Sequence, residues 1–130
     1  MRLLLDTHIF LWYITNDRRL RSEIATSIQD ASNEVFLSVV STWEAMIKYQ
    51  LGRLELPAPA DVYLRERQRQ HRIVTLPLDN EAVAHLLSLP ALHRDPFDRM
   101  LVCQAIHHEL TLVTADEQIT RYPVTCFRSD

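Results

Sequence analysis

Glycine is almost absent from these 130 residues; Gly52 is the only one. A chain so poor in glycine can hardly cradle phosphates with its backbone, and it contains no Walker loop, dinucleotide fingerprint or Gly-x-Ser-x-Gly elbow. Cysteine is nearly as scarce. Cys103 lies on an apolar helical stripe that reads as core, only Cys126 accompanies it, and no disulfide framework is implied. No apolar run approaches the roughly 20 residues that span a bilayer, and Leu3-Leu4-Leu5 behind Met1-Arg2 is too short for the apolar region of a signal peptide. A soluble protein in a reducing cytoplasm is the expectation.

The charge balance, 14 Lys plus Arg against 17 Asp plus Glu, gives a net charge of -3, so the total predicts no long-range pull on nucleic acid. Lysine is reduced to Lys48; every other basic residue is Arg, the better bidentate phosphate ligand. The arginines gather in Arg18-Arg19-Leu20-Arg21 and in Arg65-Glu66-Arg67-Gln68-Arg69-Gln70-His71-Arg72. Two readings stand: solvated helix faces, or a track for a phosphate backbone. The length, with 47% hydrophobic residues, suits a single domain over residues 1–130.

Apolar runs at 2–5, 35–40, 73–76 and 111–114 read as buried strands, with a last edge strand over 123–127. Between them lie helical patterns: 9–14; a stripe of Leu20, Ile24, Ile28 and Ala31 closed by Ser32-Asn33; 45–51 ending at Gly52; 60–70; a helix capped by Asp79 or Asn80; and one starting at Pro96. Strands alternating with helices predict an α/β fold with a parallel sheet covered on both faces.

Four carboxylates follow apolar runs or stand at helix mouths: Asp6, Glu44, Asp98 and Asp116. In a parallel sheet the carboxyl ends of the strands share one edge, where such folds bind ligands, so acids far apart in sequence would meet there. Each has a plainer reading. Asp95 before Pro96 makes a good helix cap, Asp98 suits a first helical turn, Glu44 fits a capping box with Ser41, and Asp116 could close a turn. Asp6, directly behind three leucines, resists such a reading, since strands of this type hold few Asp unless the residue is used or capped, and independent caps need not share an edge. Clustered carboxylates repel and call for a cation; oxygen ligands suit Mg²⁺ or Mn²⁺ better than Zn²⁺. His107-His108 are adjacent and would face different ways on a helix, against a joint metal site, while His8 and His93 read as donors to the ligating acids or as phosphate contacts. Trp12, Tyr13 and Trp43 read as core or dimer contacts ahead of base-stacking platforms.

The segments Leu3-Leu4-Leu5-Asp6-Thr7-His8, Ser41-Thr42-Trp43-Glu44, His93-Arg94-Asp95-Pro96-Phe97-Asp98-Arg99-Met100-Leu101 and Leu112-Val113-Thr114-Ala115-Asp116 together resemble the PIN-domain ribonucleases, in particular VapC-type toxins of bacterial toxin–antitoxin pairs. The resemblance covers nearly the whole chain. It implies a three-layer α/β/α sandwich, a homodimer, a cognate antitoxin protein, and Mg²⁺- or Mn²⁺-dependent cleavage of RNA. Asp6, Glu44, Asp98 and Asp116 match the family's acidic quartet and Asp95 an accessory acid; Thr7, Thr114 and Arg99 read as supports for ligand or phosphate. The alternative is a catalytically silent PIN-like module that binds metal or RNA, disfavoured because no acid of the quartet is missing. A phosphatase or phospho-accepting receiver would want a late lysine, and a structure-selective DNA nuclease an arch, neither of which this chain supplies.

Overall fold

Three consecutive leucines with no solvent exposure form the middle of the molecule. The computed structural model describes residues 1–128, in which β1 (Arg2–Leu5) is flanked on one side by β2 (Glu34–Ser38) and then β3 (Val74–Leu76), and on the other by β4 (Thr111–Thr114) and then β5 (Cys126–Arg128). All four pairings are parallel, with Leu4 opposite both Phe36 and Leu112. A central parallel strand is buried on both faces and therefore reads as an unbroken apolar run rather than an alternating one.

The two faces carry separate cores. Leu3, Leu5, Val35, Leu37 and Val113 point toward α1 (Thr7–Ile14), α2 (Ser22–Gln29) and α4 (Ala60–Gln70), meeting Ile9, Phe10, Ile24, Ile28 and Leu64. Leu4 and Leu112 point the other way, toward Leu101, Val102 and Ala105 of α6 (Pro96–His107), together with Ile119 and Tyr122. α5 (Asn80–Ala84), continued by a single 3₁₀ turn to Ser88, packs against α6, and α3 (Val39–Gln50) contributes Val40 to one core and Ala45 to the other. The expected α/β/α sandwich is thus formed.

Several expected boundaries move. β2 stops at Ser38, whose hydroxyl accepts the Val40 N–H at 3.0 Å and opens α3, so Val39 and Val40 are helical despite their branched side chains. Ser41 and Glu44 are therefore buried inside the helix and form no capping box. α2 ends at Gln29, because the Asp30 carboxylate takes the Ser32 N–H at 2.9 Å; Ala31 is left exposed. The last strand starts at Cys126 rather than Pro123.

Scarcity of glycine shows in how the helices end. α1, α3, α4 and α6 all close with a left-handed residue, Asn16, Gly52, Arg72 and Glu109, at φ between 53° and 73°. In each the next N–H reaches back five residues: Asp17 to Trp12, Arg53 to Lys48, Ile73 to Gln68 and Leu110 to Ala105, at 2.8–3.0 Å. This is the Schellman closure, built three times out of four without the residue best suited to it.

Candidate active site

The chain leaves β1 toward β2 on one side and reaches β4 and β5 on the other, so the carboxyl ends of β1 and β4 form the crevice where strand order reverses. Asp6 stands at the end of β1 and caps α1. Its Oδ1 accepts the His8 and Ile9 N–H groups at 2.8 and 3.2 Å, and its Oδ2 accepts the Thr114 hydroxyl at 2.6 Å. Asp6 is buried, and burial pushes its carboxyl above the ordinary 3.8, against the pull of the Thr114 hydroxyl and the Ile9 N–H.

Thr114 itself accepts the Asp116 N–H at 3.0 Å, which ties the end of β4 to the end of β1 and sets the backbone of Asp116 beside Asp6. Next to Asp6, the buried Thr7 hydroxyl donates to Glu44 Oε1 at 2.6 Å and lies 2.9 Å from the Ser41 hydroxyl. The other Glu44 oxygen meets Lys48 Nζ at 2.8 Å, one turn along α3. Glu44 is only 3% exposed, so both oxygens depend on these partners.

Asp98 occupies the first turn of α6. Burial, and then the negative charges of Asp95, Asp6 and Glu44, push its carboxyl up to about 7, opposed by a 3.0 Å contact with His93 Nε2. The same His93 nitrogen lies 3.4 Å from Asp116 Oδ2. His93 Nδ1 accepts the Arg94 N–H at 3.0 Å, so in the neutral ring Nε2 carries the proton and offers it to the two carboxylates.

Sequence reasoning placed Asp6, Thr7, Glu44, Asp98, Thr114 and Asp116, and the fold brings them to one crevice. Asp95 acts as the cap of α6, its Oδ1 accepting the Phe97 and Asp98 N–H groups at 2.9 and 3.2 Å, while adding repulsion to Asp98. Arg99 makes no ion pair with the acids among the described residues, and its charge acts on Cys103 one turn further along α6. Ser41 and Lys48 went unpredicted as site residues; the four-residue step from Glu44 to Lys48 on a helix was the readable signal. Most of the arginine clusters are absorbed locally, Arg19 by Asp17, Arg21 by Glu23, Arg65 by Asp61 and Arg69 by Glu66, which favours solvated faces. Trp43 is 59% exposed with its ring edge-on to Phe97 at 4.9 Å, so it is not core.

The donor set fits a hard cation. Among the described residues only Lys48 pairs with any of the five acids as a permanent cation, and Asp98, raised first by burial, is raised further by the charges of Asp95, Asp6 and Glu44.

Three comparisons bear on the family and the fold. "Ribonuclease VapC16" of Mycobacterium tuberculosis is 30% identical over 105 residues, covering 81% of this chain and 70% of that protein. "Ribonuclease VapC22" of the same organism is 28% identical over 127 residues, covering 94% and 95%. The fold superposes with a TM-score of 0.76 at 16% identity, over the full length of both chains, on the crystal structure of VapBC2 from Rickettsia felis bound to a DNA fragment from their promoter. The profile described as PIN domain matches residues 3–124, and this chain belongs to the PIN-domain family.

Proposed function

We propose that this chain is a metal-dependent endoribonuclease, the toxin of a toxin–antitoxin pair, acting as one domain on RNA phosphodiester bonds in the cytoplasm. The observation that carries the reading is the meeting of acids from elements far apart in sequence: Thr114 ties Asp6 to the Asp116 backbone, Thr7 beside Asp6 holds Glu44, and His93 lies between Asp98 and Asp116. Two relatives that carry the name ribonuclease support the substrate class, and the VapBC likeness supports an antitoxin protein as partner; a homodimer is part of the same proposal.

Asp6, Asp98 and Asp116 would hold Mg²⁺ or Mn²⁺, with Glu44 completing the shell directly or through water. Bound there, the ion would supply positive charge to the scissile phosphate and lower the pKa of an attacking water. The protein's own part is positional. Thr114 aims Asp6 Oδ2, Thr7 and Lys48 hold the two oxygens of Glu44, and in the metal-free protein His93 occupies the gap between Asp98 and Asp116 that an ion would take. Burial of Asp6 and Glu44 keeps bulk water from screening that charge.

Purified protein mixed with an RNA pool tests the reading. Cutting with Mn²⁺ or Mg²⁺, lost in chelator and lost in a folded Asp98→Ala variant, is the expected outcome. A fully active Asp98→Ala variant refutes the site assignment, and a folded wild type that binds the ion yet cuts no RNA identifies a silent binding module.

A further inference from the structure

α6 begins at the acid cluster and ends, about 18 Å away at 1.5 Å per residue, in a second group of ionisable side chains that the proposed reaction does not use. His107 is the last residue of the helix and His108 its cap, followed by the left-handed Glu109. Although neighbours on a helix start out in different directions, the two rings come into contact. Their centroids lie 4.8 Å apart and their planes stand at 82°. Asp79, the cap of α5, faces them: one ring nitrogen from each histidine and one Asp79 oxygen all lie within 4.8 Å of one another.

We propose that Asp79, His107 and His108 form a second metal site, for a borderline transition ion such as Zn²⁺, Co²⁺ or Ni²⁺. Three details support a site rather than a chance gathering. Asp79 Oδ2 and His108 Nε2 are 3.4 Å apart, and the His108 nitrogen is buried with no hydrogen-bond partner among the described residues. Two ligand atoms each about 2.1 Å from a tetrahedral ion are themselves about 3.4 Å apart, so the gap is the edge of such a coordination shell. Asp79 divides its oxygens, since Oδ1 accepts the Ala82 N–H at 2.8 Å and leaves Oδ2 for the histidines. His107 is braced from behind, its Nδ1 lying 3.1 Å from Nε2 of His85, the kind of outer partner that fixes the ring of a metal-binding histidine.

Two imidazoles and one carboxylate select against Mg²⁺ and Ca²⁺ and toward the later divalent ions, so the two sites differ in kind. Three protein donors leave a fourth position for water. Bound there, the ion clamps the start of α5 onto the end of α6, at the opposite end of the helix from Asp98.

The test is calorimetric titration of Zn²⁺ into purified protein with excess Mg²⁺ present, joined to the visible spectrum with Co²⁺. Wild type is expected to bind one Zn²⁺ that Mg²⁺ does not displace and to give the strong d–d bands of a four-coordinate, nitrogen-bearing Co²⁺ site. His108→Gln and Asp79→Asn should each weaken Zn²⁺ at least ~10-fold and lose those bands, whereas Asp98→Asn should keep both. Asn can still cap α5, so Asp79→Asn decides the matter if His108→Gln does not fold. Unchanged Zn²⁺ affinity in both variants, or its loss in Asp98→Asn alone, overturns the proposal.

Discussion

The Thr114 hydroxyl spans the seam between two parallel strands to donate to Asp6 at 2.6 Å, and this one contact positions the carboxylate at the centre of the crevice. It also binds the strand ends together, because the same oxygen accepts the Asp116 N–H. Thr114→Val keeps the shape and removes both functions. The expected loss is about 1–3 kcal/mol of stability, from a buried carboxylate oxygen left without its donor, and ~10-fold or more in RNA cleavage. Urea unfolding beside a cleavage assay measures the two together; a variant with unchanged activity would show that Asp6 needs no such aim.

Asp98 makes the metal-free protein sensitive to pH. Its folded-state pKa of about 7 lies above the ordinary 3.8, so the folded form binds a proton more readily than the unfolded chain does. The corresponding stability is fully present below 3.8 and lost as pH rises through about 7. Melting temperature in chelator should therefore fall from about pH 5 to about pH 8, and the Asp98→Asn variant should flatten that slope and be the more stable at the upper end. Added Mn²⁺ should restore the wild type most at the pH where it is weakest.

His93 competes with a cation for the same two oxygens. Its Nε2 donates toward Asp98 and Asp116 while its Nδ1 is engaged with the Arg94 N–H, an arrangement suited to a donor and not to a ligand. His93→Ala should cost the metal-free protein about 1–2 kcal/mol and yet tighten Mn²⁺ binding, as measured by calorimetry. Weaker Mn²⁺ binding would instead make His93 a ligand.

Arg72 closes α4 at φ 56°, a conformation that costs an ordinary side chain about 1–2 kcal/mol. Arg72→Gly removes that strain and adds freedom to the unfolded chain, for a net gain of about 0.5–1 kcal/mol in denaturant unfolding. A loss would mean that the arginine side chain contributes more than its backbone costs.

Much of the fold could be read from the sequence because its signals were local. Leu3 to Leu5 could only be a buried strand, Asp95-Pro96 only a helix start, and Gly52 only a helix end. Asp6 and Asp98 were legible for the same reason. Glu44 was found for the wrong local reason: Val39 and Val40 extend an apolar β-branched run, and only the three-dimensional capture of the Val40 N–H by Ser38 shows that the helix has already begun. The pairing of His107 with His108 was hidden because adjacent helical residues start out in different directions, which does not stop long rings from meeting near a shared partner such as Asp79. His93 reaches the acids from a loop whose path no periodicity encodes.

A chain with a single lysine offers amine-reactive reagents one side-chain address, Lys48. That amine sits on Glu44. Acylation of the side-chain amine is thus a chemical report on the crevice itself: whatever RNA, ion or protein settles over Glu44 should protect that one nitrogen, and a tryptic map needs to follow only one peptide to see it.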